Sequence, residues 1–92
     1  MEIKIPYASN DKKTAYESAK TSIPVAVEKF GVKADVKFSE SDYTIQAKGT
    51  GFDAKIQFQD KEVVVNLDLS FLLKPLKSKI VEVLEKQIKR VV

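Results

Sequence analysis

Six cations crowd the last stretch of the chain. Lys74, Lys77, Lys79, Lys86, Lys89 and Arg90 stand within residues 70–92 with only Glu82 and Glu85 against them, a local net charge of +4. The remaining residues carry ten basic and eleven acidic side chains, so the whole excess of a chain with net charge +3 sits here. Lysines and arginine in such a cluster can attract an anionic surface, and they are the candidate surface-binding residues. Other site chemistry is poorly served. With no histidine and no cysteine, a thiolate or imidazole metal site, a histidine base and a disulfide framework are all excluded.

Acid–base catalysis would have to rest on carboxylates, lysines or tyrosines, and no spacing singles out a pair. No nucleophile elbow, phosphate-binding loop or dinucleotide fingerprint is present. Tyr7, Tyr16 and Tyr43 could aim hydroxyls inward, although a ring in the core with its hydroxyl at the rim accounts for them as well. The expectation is a protein that is not an enzyme and holds no cofactor or metal. A second candidate site comes from small residues. Ala34, Ala47 and Ala54 fall on the inward phase of consecutive extended segments, where β-branched residues would be favoured. Together with Tyr43 and Phe58 they could line an apolar pocket for a lipid-like ligand, or they could let a helix pack closely.

These residues must be placed by regular elements. Ile3, Ile5 and Tyr7 alternate with Glu2, Lys4 and Pro6, which predicts a short half-buried first strand, with Pro6 marking its end or an edge position. Tyr16, Ala19, Ile23, Ala26, Val27 and Phe30 recur at helical steps, with Ser9 to Asp11 as cap residues and Gly31 as the C-terminal stop. Pro24 interrupts that pattern, so a kinked helix or two short ones, about 11–21 and 23–30, are expected. Val32 to Phe38, Tyr43 to Ala47, Phe52 to Phe58 and Val63 to Leu69 then alternate at period two. The short turn-rich links between them force antiparallel neighbours.

From Leu73 the period changes again. Leu73, Leu76, Ile80, Val83, Leu84, Ile88 and Val91 define one helix face, with Ser70 as cap and Pro75 tolerable near the start. The predicted helix runs from about Phe71 to the last few residues, with its cations opposite the apolar stripe. Val81 and Val92, at the stripe's edge, are the residues hardest to bury. The predicted fold class is α+β: a single antiparallel sheet of about five strands in the order β-α(kinked)-β-β-β-β-α, with the long C-terminal helix packed on one face.

Ninety-two residues, 43% hydrophobic and 32% charged, fit one globular domain, 1–92. No run is apolar and long enough to be a transmembrane segment, and the opening residues read as a strand, so a cytoplasmic location is expected. Nucleic-acid binding is not expected. Lys4, Lys33, Lys37, Lys48 and Lys55 on the predicted outer sheet face are matched by Glu2, Asp35, Asp53, Glu62 and Asp68, and the aromatic residues fall on the inner phase.

The stretch Leu67-Asp-Leu-Ser-Phe-Leu-Leu-Lys-Pro-Leu-Lys-Ser-Lys-Ile80, after the alternating hairpin from Gly51 to Val65, resembles the polyhydroxyalkanoic acid system, or granule-region, proteins. Length and element order are similar over essentially the whole chain, and the specific part spans about residues 51–90. The layout is also similar to a reduced helix-grip fold, which would suit a cavity between sheet and helix. The resemblance implies a setting at polyester storage granules. It leads to the expectation of a non-enzymatic protein that meets the granule surface or a granule protein through its basic amphipathic helix. Two other roles fit the residues: a carrier of a lipid-like ligand, and an interaction module that forms a homodimer through helix surface or a free sheet edge.

Overall fold

The computed structural model describes residues 2–30 and 33–92. Its elements are β1 (Glu2–Pro6), α1 (Lys12–Lys29), β2 (Ala34–Ser39), β3 (Thr44–Gly49), β4 (Phe52–Phe58), β5 (Glu62–Leu69), a 3-10 segment (Phe71–Leu76) and α2 (Lys77–Val91). All five strands join one sheet in the order β1-β5-β4-β3-β2, with every neighbouring pair antiparallel. The α+β layout therefore holds. The first and second strands in sequence occupy opposite edges, and α1 crosses between them.

Register puts the alternating apolar residues in rows across one face. Ile3, Val65, Ile56, Ile45 and Phe38 form one row, and Leu67, Ala54, Ala47 and Val36 the next. Both helices lie on this face, α1 against β2, β3 and β4, α2 against β1, and each against the other. Between them Ala15, Tyr16, Ala19 and Ile23 of α1 and Ile80, Leu84 and Ile88 of α2 are buried in a single core. Ala15 and Ala19 on α1 and Ala47 and Ala54 in the alanine row are all buried, so small side chains fill this core by close packing. Val64, on the opposite face, is also buried, because it sits between Lys4 and Gln57 on a central strand.

Several expectations are corrected. The proline does not divide the first helix: α1 runs unbroken from Lys12 to Lys29 with Pro24 inside. Pro24 costs its missing backbone bond, but Ala15, Tyr16, Ala19 and Ile23 before it and Ala26 and Val27 after it are all buried, so burial holds both halves in a single helix. Asp11 is the cap, its carboxylate accepting from the Thr14 N–H at 2.8 Å. The proposed stop Gly31 and the strand residue Val32 lie outside the described residues. Tyr43 belongs to the β2–β3 turn rather than to a strand. Its φ of 49° is left-handed, a rare state for a bulky residue, and its carbonyl accepts from Phe58 N–H at 2.9 Å.

The last helix is also different from the sequence reading. Its first six residues form the 3-10 segment, in which Leu76 is 46% exposed, so Leu76 leaves the stripe that continues through Ile80, Leu84, Ile88 and Val91. Ser70 precedes the segment but makes no side-chain cap bond. At the far end Val92, expected to resist burial, is only 5% exposed. The reason is a backbone nest: the N–H groups of Ala8, Ser9 and Asn10 converge on the Val92 oxygen at 2.8–2.9 Å, and the Asn10 amide donates to the Val91 carbonyl at 3.0 Å. The loop after β1 thus closes over the end of α2. Val81 packs partly against the core.

Two tests follow from this packing. Leu84→Ala should cost about 2–5 kcal/mol, whereas Leu76→Ala, at a half-open position, should stay within about 0.5 kcal/mol; urea unfolding of both variants checks a distinction that periodicity alone does not make. The second concerns pH. Hydrogen bonds from Thr14 hold the Asp11 carboxyl below its ordinary range, and the Lys12 ammonium, 2.7 Å away, does the same for Asp60. Both groups have lowered folded-state values, so their stabilisation is present above the unfolded aspartate value of about 3.9 and is lost as pH falls through the folded values. Asp11→Asn and Asp60→Asn should be less stable than the parent at neutral pH, and thermal melts should show that difference closing on acidification.

Candidate functional site

The chain leaves β5 and must turn back over the sheet within a few residues. Ser70 N–H donates to the Gly51 carbonyl at 2.7 Å, and the Ser70 carbonyl accepts from Leu73 N–H at 3.0 Å and Lys74 N–H at 3.1 Å. Gly51 takes part because its φ of 75° is one that a side chain would strain. Three successive apolar residues in so tight a turn cannot share one side. Leu73 reaches the core, and Phe71 and Leu72 are left 84% exposed. They form an apolar tip at the start of the C-terminal element, and Leu76, 46% exposed, follows at the end of the same segment.

The six cations divide around this tip. Lys74 lies in the 3-10 segment, and Lys77 begins α2 beside a shallow recess of about 150 Å³ that also involves Leu67, Asp68 and Leu69. Lys79, Lys86 and Arg90, at i, i+7 and i+11, share a strip of α2 away from the buried Ile80, Leu84 and Ile88. Lys86 pairs with Glu82 at 3.3 Å and Lys89 with Glu85 at 4.0 Å. Both pairs are solvent-exposed and of small energetic value, yet each places a negative charge beside a positive one. Among the described residues Lys74, Lys77, Lys79 and Arg90 form no ion pair, and the first three flank Phe71 and Leu72 in sequence. The predicted six-residue set is therefore not one uniform face. Three of its unpaired members, Lys74, Lys77 and Lys79, follow the apolar tip closely in sequence, and the fourth, Arg90, lies at the far end of α2.

Sequence reasoning missed Phe71 and Leu72 because it began the α-helix at Phe71. The available signal was Pro75: it has no N–H to give to an α-helical bond with Phe71, so the first turn was free to tighten.

The proposed apolar pocket residues are not gathered around one space. Ala47 and Ala54 are 1% exposed in the core. Phe58 packs edge-on to Tyr16 with centroids 5.7 Å apart, and Tyr43 meets the other side of Tyr16 at 5.2 Å. Ala34 borders an opening, a groove of about 930 Å³ beside β2 and α1 that also touches Pro24, Val27 and Val36.

Lys12 lies 5.2 Å from the Tyr43 ring centre and Lys20 5.6 Å from that of Tyr16, and Lys20 also pairs with Glu40, so the aromatic cluster is roofed by α1 cations. The buried hydroxyls of Tyr7, Tyr16 and Ser22 have no hydrogen-bond partner among the described residues. Burial, with Asp60 and Asp11 nearby, pushes the Tyr7 hydroxyl up to about 12, and burial raises Tyr16 as well, so neither offers a phenolate base near neutrality. Among the described residues no cluster of carboxylates has the makings of a metal site, and no helix is long and apolar enough to cross a membrane.

Comparison with known proteins identifies the lineage. The family model described as "Putative polyhydroxyalkanoic acid system protein" matches residues 7–92, and the chain belongs to that family. No curated protein and no solved structure matches it.

Exposure of the tip is directly testable because the chain has no tryptophan. A Phe71→Trp variant should emit like an indole in water and be quenched freely by acrylamide, without loss of stability, whereas Phe58→Trp, at a position 2% exposed, should be shielded or fail to fold.

Proposed function

We propose that this member of the polyhydroxyalkanoic acid system family works as a non-enzymatic binding protein at polyhydroxyalkanoate granules, contacting the granule surface or a protein on it through the start of its C-terminal helical element. The observation that carries this reading is the pairing of two 84% exposed apolar side chains, Phe71 and Leu72, with the unpaired cations Lys74, Lys77 and Lys79. A polyester particle offers apolar surface, and any anionic coat on it adds negative charge. Phe71 and Leu72 would each gain about 1.5–3 kcal/mol on leaving water, while the lysines would hold their ammonium groups at the wet boundary.

The family name supports the setting. The broader basic strip of Lys79, Lys86, Lys89 and Arg90 would then supply longer-range attraction, reduced by its internal pairs with Glu82 and Glu85.

Co-sedimentation with isolated granules, coated and stripped, across a salt series tests the proposal. Phe71→Ser with Leu72→Ser should abolish binding at all salt concentrations. Charge reversal of Lys74, Lys77 and Lys79 should weaken binding mainly at low salt, and reversal of Lys86, Lys89 and Arg90 should have a smaller effect. Failure of the parent protein to sediment with either preparation would remove the granule reading.

A further inference from the structure

Strand β2 ends the sheet and pairs only with β3, so alternate backbone N–H and C=O groups along its other side have no strand to bond. Its protection is limited to the charges of Asp35 and Lys37, with no proline and no bulge. The opposite edge, β1, contains Pro6, which cannot donate, whereas β2 has no proline and keeps unbroken register with β3 from Ala34↔Gly49 to Ser39↔Thr44. Its inner face is also the least covered part of the sheet. Ala34 and Val36 are half-buried and Phe38 is 41% exposed, while the inner residues Ile45 and Ala47 of β3 are sealed.

The sequence of this strand, Ala34-Asp-Val-Lys-Phe-Ser39, is complementary to itself. With a second copy laid antiparallel about a two-fold axis at Val36, Asp35 of each chain meets Lys37 of the other on the outer face. On the inner face Ala34 of each meets Phe38 of the other, small against large. Neither Asp35 nor Lys37 has an ion-pair partner within its own chain among the described residues. The register is selective: an axis at Asp35 or at Lys37 would set like charges directly opposite, which is destabilising. The groove of about 930 Å³ opens beside Ala34 and Val36 and offers the ring an apolar wall in Pro24 and Val27 of α1, with the charged Glu28, Lys33, Asp35 and Lys48 at its rim.

We propose that the protein forms an isologous dimer by antiparallel pairing of two β2 edges across Val36, with Phe38 of each copy seated in the groove of the other. The two five-stranded sheets become one continuous sheet, and each Asp35 gains a Lys37 across the junction. The contact uses the edge farthest from β1 and does not depend on the granule reading.

Sedimentation velocity of the intact chain, from micromolar to about millimolar concentration, should show a monomer–dimer equilibrium. Lys37→Asp places two like-charge pairs in the junction and should weaken dimerisation at least about tenfold. The exchange Asp35→Lys with Lys37→Asp restores complementarity and should return the constant to within about threefold of the parent. Because the chain has no cysteine, Val36→Cys should form a disulfide-linked dimer on mild oxidation with a parent-like melting curve. A parent that stays monomeric throughout, a dimer indifferent to Lys37→Asp, or a folded Val36→Cys variant that does not cross-link would each overturn the proposal. The cross-linking arm stands even if the charge exchange, which sets a second cation opposite Lys48 in the β2–β3 register, unfolds the chain.

Discussion

Everything in this protein depends on covering one apolar face of a single sheet. Rows such as Ile3, Val65, Ile56, Ile45 and Phe38 run across all five strands, and a face that wide is more than one helix can shield. Two helices must lie on it together. That requirement explains why α1 crosses from one edge to the other between β1 and β2 and packs against both α2 and the sheet. It also explains the unbroken run through Pro24. A helix anchored by Tyr16 and Ile23 on one side and Val27 on the other gains more from burial than the lost bond costs.

The same constraint leaves two surfaces unfinished. At one end α2 is drawn toward β1, where three backbone N–H groups of residues 8–10 hold the Val92 oxygen. The opposite end of the element must then reverse from β5 in a tight turn, and only Leu73 of the apolar triplet 71–73 can reach the core. Phe71 and Leu72 are exposed by this geometry, on a backbone fixed by bonds between Ser70, Gly51 and Lys74. At the far edge, α1 lies over β3 and β4 closely enough to seal Ile45, Ala47 and Ala54 but leaves the inner side of β2 open as a groove. One unfinished surface is apolar with unpaired lysines around it, and the other is a strand edge with complementary charges.

Strands, helices and their order were legible in the chain because each obeys a local rule: period two for half-buried strands, three-and-four spacing for a helix face, short polar links for antiparallel neighbours. The charge imbalance of residues 70–92 was equally plain, since counting needs no coordinates. Local rules misplace residues where an element ends. Leu76 and Leu84 both fall within the apolar stripe read from the sequence, yet one is half-exposed and the other in the core, because the stripe does not say where the 3-10 turn gives way to α2. Tyr43 fits a period-two strand but takes a left-handed turn while its ring still reaches Tyr16. The pocket idea failed to gather its five residues for a related reason: small inward side chains signal either space or close approach, and only the position of α1 decides between them.

The sequence by itself determined the α+β class, the five alternating segments, two helical regions and the concentration of positive charge near residue 92, because these are properties of neighbours along the chain. Tertiary structure alone decided that β1 pairs with β5, that the Val92 oxygen is bound by residues 8–10, and that Phe71, Leu72 and the inner side of β2 remain uncovered. Each of these depends on which distant segments occupy the same volume, and a one-dimensional pattern carries no information about the partner that burial will choose.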